Sequence, residues 1–507
     1  MKALLLVAML AGAIVLPGAR AAAQASGAGQ LTLQQRIDAA APEDIIVIDG
    51  GVFHESVVID KPISLIGHNW PVIDGGGLGD VVTISADDVV VSGFVIRNSG
   101  TDMSREPAAV RIDNANRVTV RANRLQDARF GIHVTTSKDS ILENNLVDTG
   151  GDRPIERRGH GIYLWEVQSS TVHANTIQNA ADGIHLEYSD DNGIGDNDVH
   201  QSRYALHLMY AHQNKIIDNN FHDNLAGAVV MLSHDVIIKG NNLSGNRKGA
   251  TGTGMLFKDD DNLFVEDNRL LRNKYGMTVD GAPQAIGATA IFRHNLFALN
   301  DVGVAAMSNA PITFVENAMI DNTVQVKAMS GDLASRTLSG HGETASGADA
   351  APAIEGGGAL PTGAVWSSGG RGNYWSDYRG YDANGDGVGD QPYRPRPTFA
   401  GRLGNDDTLR LFQFTPAQQA IDVAADMFPV YRYNAIIEDD GPLMNPPGGL
   451  ALAHGAGINL RLLACSLLLA ALAAAGIFAG AGAHARQSLR RALTTRRQGP
   501  ATGDAAA

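Results

Sequence analysis

Two thioethers and two imidazoles recur at one spacing: Met209-x-x-His212 and, 22 residues later, Met231-x-x-His234. Thioether sulfur is a soft donor suited to Cu(I), and imidazole accepts Cu(I) or Cu(II). A set without thiols handles copper without disulfide side reactions in an oxidising compartment. His207 stands two residues before Met209, and His185 stands 22 before His207. On β-strands these side chains share the outward side, because side chains alternate. His185, His207, Met209, His212, Met231 and His234 are therefore the first candidate site, for copper taken up as Cu(I) and given up again. His133, His173, His200, His222 and His294 read as turn or surface residues, although His133 shares the register of His185 and His207 and would lengthen a His row.

A second set offers oxygen. Asp382, Asn384, Asp386 and Asp390 occupy positions one, three, five and nine of a calcium-loop pattern, with Gly387 at six. Tyr393 stands at twelve, where a bidentate Glu belongs. A full EF-hand is excluded, leaving a weak calcium turn or one closed by hydrogen bonds alone. Carboxylates also cluster at Glu187, Asp190 and Asp191, and at Asp259, Asp260 and Asp261 beside Lys258. With Ca²⁺ and a basic residue, such acids suit a polysaccharide lyase or epimerase, the rival functional reading. Asp is also an ordinary turn residue. The sequence holds no Gly-rich phosphate loop and no G-x-S-x-G elbow.

These residues become neighbours only if the chain repeats. It does so in lines of 22: NTIQNAADGIHLEYSDDNGIGD from Asn175, NDVHQSRYALHLMYAHQNKIID from Asn197, NNFHDNLAGAVVMLSHDVIIKG from Asn219. The leading Asn recurs at Asn123, Asn144, Asn175, Asn197, Asn219, Asn241, Asn268, Asn295 and Asn317. A small residue follows eight positions later at Gly131, Gly183, Ala205, Gly227, Gly276 and Gly303. Short Val/Ile/Leu runs broken by Asn, Asp and Gly exclude helices. One line cannot bury its own apolar side, but stacked copies can. The expectation is an all-β, right-handed parallel β-helix of about a dozen coils spaced about 4.8 Å apart. The Asn column is read as scaffold, placed at a left-handed bend with its amides bonded between coils. Counted from the small residue, the first and third positions point inward. The second (His185, His207, Val229) and fourth (Glu187, Met209, Met231) point outward.

The remaining chain divides by composition. Residues 1–25 read as a signal peptide: Lys2, an apolar run, then Ala23-Gln24-Ala25 before Ser26. The solenoid is assigned to 26–335, opened by a short helix over Leu31–Ala41 that covers the core. Residues 336–363 form a low-complexity Gly/Ala/Pro linker. A loop-rich cap over 364–447 gathers aromatics and includes a helix at Thr415–Phe428. A tether at 448–461 leads to an apolar run, Leu462–Ala483, long enough to span a bilayer. The arginines of 484–507 place that tail in the cytoplasm. Cys465 is the only cysteine, so no internal disulfide forms. The net charge of −14 argues against a nucleic-acid partner.

Four segments carry a family likeness: LQQRIDAA…DGGVFHESVVIDKPISLIG, RYALHLMYAHQNKI, GTGMLFKDDDN and GNYWSDYRGYDANGDGVGDQPYRP. Together they make the chain resemble the NosD family over roughly Leu31 to Pro447. The resemblance implies a periplasmic, non-enzymatic factor that helps assemble the copper centres of nitrous oxide reductase. It implies as partners an ABC-type permease and ATPase in the inner membrane, a copper-binding lipoprotein and the apo-reductase. His207, Met209, Tyr210 and Met231 match positions typical of that family. The apolar run near the C-terminus and the Ser339–Gly363 insertion depart from many relatives.

Overall fold

The computed structural model describes residues 31–102, 104–248, 252–307, 312–328, 364–395 and 437–452. Each coil gives one short strand to each of three parallel sheets, of 13, 13 and 12 strands. In every sheet the hydrogen-bonded neighbours are three strands apart along the chain. That is the winding of a three-walled parallel β-helix, and right-handed crossover is the rule for parallel connections. The core is one column of inward side chains, with Ile184, Leu206 and Ala228 stacked in register and Leu186, Leu208 and Val230 beside them.

The small residue of each line sits where a third-sheet strand begins, and space dictates it. A Cβ on Gly131 would lie 2.4 Å from both the Gly161 carbonyl oxygen and Val147 Cγ1. Pairing skips this position: Asp182 pairs with Tyr204, then Ile184 with Leu206. The residues on both sides of the small one keep their register while the chain bends.

The Asn column is a buried ladder of ten residues. Nine links run from one Nδ2 to the next Oδ1, at 2.9–3.3 Å. The expected rung at Asn144 is taken by Asn145 instead. The reason is a second correction: the left-handed residue is not the ladder Asn but the one before it. Ala122, Asn144, Ala174, Asp196, Asp218, Gly240, Asp267, His294 and Glu316 all have φ between 51° and 71°. That residue turns the corner, and the next aims its amide into the stack. Ser202, Asn224, Asn246, Asn273, Asn300 and Asn322 form a similar column at another corner.

Both ends of the solenoid are finished by side chains. The helix Leu33–Ala39 starts with a capping box of Thr32 and Gln35 and buries Leu33 and Ile37 in the core. Gln34 donates through Nε2 to the Val58 carbonyl at 3.1 Å and accepts the Val58 N–H at 2.7 Å, as another coil would. At the other end the first two sheets continue past the expected boundary. Ala364 pairs with Ile312 and Trp375 with Met319, so the start of the expected cap is itself a coil. Phe314, Trp366, Trp375 and Tyr393 then plug the core. Asp439, fully buried, accepts from Asn373 N and Trp375 Nε1 at 2.8 Å each, ending the ladder.

Among the described residues no helix is long and apolar enough to cross a membrane. Residues 1–25, the linker, the Thr415–Phe428 helix and the Leu462–Ala483 run lie outside the described residues.

A candidate metal centre on the third sheet

Strand register brings together the outward pairs that the coil alignment implies. His185 pairs with His207, Glu187 with Met209, and Met209 with Met231. The His185 and His207 rings stack at 4.4 Å between centroids, with 8° between their planes. Outward does not mean exposed, however. His133 and His185 are buried, and the His207 side chain is only 12% accessible. The same outward row continues through buried Val229 and Leu256, and both methionines are half-buried. The expected open Met/His surface is thus a largely desolvated wall. His133, read from sequence as a turn or surface residue, belongs to it, 4.8 Å from the Tyr163 ring.

Two further residues complete the cluster. His160 and Asp182 stand one position before the small residue, in RGHG and ADG. The carboxylate of Asp182 is fully buried and takes Arg203 Nε and Nη2 at 2.9 and 2.8 Å. Its Oδ2 also lies 3.0 Å from His207 Nδ1. Burial alone would raise the acid's pKa, but His207, His160 and Arg203 outweigh it and hold the carboxyl well below its ordinary range. An ionised Asp182 can only accept, so His207 carries its proton on Nδ1. In the neutral ring its Nε2 lone pair is left buried and without a hydrogen-bond partner. A carboxylate behind an imidazole is the usual outer-shell arrangement of a metal-ligating histidine.

His185 is related to this by a second imidazole. The Asp182 N–H donates to His160 Nδ1 at 3.3 Å, and His160 Nε2 lies 3.4 Å from His185 Nδ1. His160 therefore points its one proton at His185, whose own proton stands on the buried, unpartnered Nε2. His185 Nε2 offers a lone pair only when that proton leaves or moves to Nδ1. Burial, with His207 and His160 beside it, holds His185 well below the ordinary histidine range. Burial likewise takes His160 down to about 4 and His133 down to about 3. His185, His160 and His133 are therefore neutral imidazoles at neutral pH, the form that binds metals.

His212 and His234 do not join this cluster directly. Their rings stack at 3.7 Å, but they follow the left-handed residues Tyr210 and Leu232, in the corner leading to the first sheet. His212 Nδ1 accepts the His234 N–H at 3.3 Å, and His234 Nδ1 lies 2.8 Å from Asp235.

The oxygen sets are committed elsewhere. Asp382 accepts the N–H groups of Gly385 and Gly387, Asp386 that of Val388, and Asp390 that of Ala383. The turn is closed by its own backbone, and Tyr393 is buried with its hydroxyl on Asp377. Asp260 is a buried rung between coils, accepting from Ser233 N and Lys258 N. Burial pulls the Lys258 ammonium down, yet bonds to Asp280 and Asp259 outweigh it and keep the residue charged. A lysine so held is a poor proton acceptor.

Fold and site thus define a parallel β-helix with an imidazole cluster packed into its outer wall. Residues 75–155 and 148–339 match the family described as "Periplasmic copper-binding protein (NosD)". A relative named "Probable ABC transporter binding protein NosD" from Pseudomonas aeruginosa is 34% identical over 420 residues, covering 78% of this chain and 87% of the relative. A protein of the same name from Stutzerimonas stutzeri is 34% identical over 424 residues, covering 79% and 86%. The chain belongs to the NosD family. Among solved structures, the A-module of the Azotobacter vinelandii mannuronan C-5 epimerase AlgE6 is a distant likeness, at 13% identity, 59% and 90% coverage and a TM-score of 0.43.

Proposed function

We propose that this chain is a non-catalytic copper-handling factor that serves the assembly of nitrous oxide reductase. Copper is its cargo, held as Cu(I) by His207 with Met209 and Met231 and passed on. The observation that carries this reading is the His207 Nε2 lone pair, buried, without a partner and oriented by Asp182. Soft sulfur on the neighbouring row suits Cu(I), and a site of few ligands releases its metal readily. His185 supplies a second nitrogen, while His212 and His234 offer a more open stacked pair at the corner.

The relatives' names support association with an ABC transporter. In this reading the permease and ATPase are docking partners, a copper-binding lipoprotein is the donor and the apo-reductase is the acceptor. The periplasmic body is tied to the inner membrane by the 462–483 run, with the basic tail in the cytoplasm.

The test is a Cu(I) competition titration of the full chain. The His207→Ala variant and the Met209→Ala/Met231→Ala variant should each bind at least tenfold more weakly. Equal binding by all three removes these residues from the account.

A further inference from the structure

A second group of ligand atoms converges on a different sheet. Strands Asp198–His200 and Asn220–His222 are neighbours in the second sheet, with His200 paired to His222. Their rings stack at 5.0 Å and 12°. Asp198 Oδ1 lies 3.1 Å from His200 Nδ1 and 3.2 Å from His222 Nε2. One ligand atom from each of Asp198, His200 and His222 fits within 4.8 Å of the others, and all three residues are half-buried.

The outer edges of the two rings decide what the inner edges can be. His200 Nε2 lies 3.1 Å from Gln178 Oε1. That amide cannot be turned round, because its Nε2 donates to Asp148 Oδ2 at 2.7 Å. Gln178 therefore takes the proton of His200 on Nε2. His222 Nδ1 lies 2.9 Å from Asp223 Oδ2, which takes its proton there. Each neutral imidazole has one proton, and each has given it outward. The inner Nδ1 of His200, the inner Nε2 of His222 and Asp198 Oδ1 then direct lone pairs at one another. Such an arrangement calls for a cation between them.

We propose that Asp198, His200 and His222 form a binding site for a divalent borderline metal ion such as Zn²⁺. Tetrahedral zinc with bonds of about 2.0–2.1 Å separates its ligand atoms by about 3.3 Å, close to the two short distances here. Gln178 and Asp223 fix the ring tautomers from behind, as outer-shell partners do. Two nitrogens, one carboxylate and no sulfur disfavour Cu(I). The fourth position is open to water or to a donor from another molecule. The alternative cation is a second proton on each ring, which needs no metal.

The experiment titrates metal-free full chain with Zn²⁺ against a chromophoric chelator, and follows the thermal midpoint. Wild type should bind Zn²⁺ at this site and rise in midpoint. His222→Ala and the conservative Asp198→Asn should each weaken that binding at least tenfold and lose the rise. His173→Ala, on the first sheet, should leave both unchanged. Failure of wild type to bind Zn²⁺, or equal binding by wild type and folded Asp198→Asn, overturns the proposal in favour of protonated rings.

Discussion

Replacing Asp182 by Asn changes one heavy atom and tests the proposed role of His207 as a copper ligand. The carboxylate accepts from Arg203 Nε and Nη2 and faces His207 Nδ1. An amide has a single acceptor oxygen. With that oxygen at the Oδ2 place, its NH₂ meets Arg203 Nε–H and one charge-assisted bond is lost. With the amide reversed, its NH₂ donates to His207 Nδ1, and the imidazole proton must move to Nε2. In that tautomer the lone pair proposed to receive copper is gone. The lost charge-assisted bond costs about 1.5–3 kcal/mol of stability, and Arg203, a third accessible, keeps the effect toward the lower end. Loss of an outer-shell partner weakens metal binding about 10–100-fold, roughly 1.4–2.7 kcal/mol. The assay pairs a Cu(I) competition titration with a urea unfolding curve. A folded Asp182→Asn protein that binds Cu(I) as tightly as wild type would refute the carboxylate–imidazole reasoning.

Asn219→Ala removes an amide that donates to Ile194 O, Ile217 O and Asn241 Oδ1 and accepts from Asn197. Groups left unsatisfied cost about 1–3 kcal/mol each, so urea unfolding should show a loss of about 3–5 kcal/mol. Gly131→Ala forces a methyl against the Gly161 carbonyl and Val147; overpacking of about 1–3 kcal/mol should lower the melting temperature by several degrees. His160 titrates at about 4 when folded and near its ordinary 6.5 when unfolded. The unfolded chain therefore binds more protons between these values. The contribution of His160 is present above about 6.5 and falls away as pH drops toward 4, by an amount on the order of 3 kcal/mol. Stability curves of wild type and His160→Gln between pH 7 and 4 should converge toward acid; a constant gap contradicts the assignment.

Much of the architecture is legible because a 22-residue period fixes which side chains stack. Pairing of His185 with His207 and of Met209 with Met231 follows from counting alone. One slip in the Asn column, Asn144 for Asn145, arose where two asparagines adjoin. Only backbone conformation distinguishes the one that turns the corner from the one that bonds across coils. His160 and Asp182 were missed for a related reason: they precede the small residue, and the bend there keeps them outward out of simple alternation. Alternation also says which side of a strand a residue takes, not whether that side is covered. The imidazole wall was therefore read as open when it is mostly buried. His200 and His222 looked ordinary because their partners, Gln178 and Asp198, come together only in the folded stack.

Asp439 gives the molecule a stopping rule. Every asparagine in the column both receives from the coil before and hands a proton donor to the coil after. The carboxylate at the far end receives but has nothing to hand on. A pattern that any number of coils could extend is thereby brought to a definite length. Among the described residues no further amide follows it in the column.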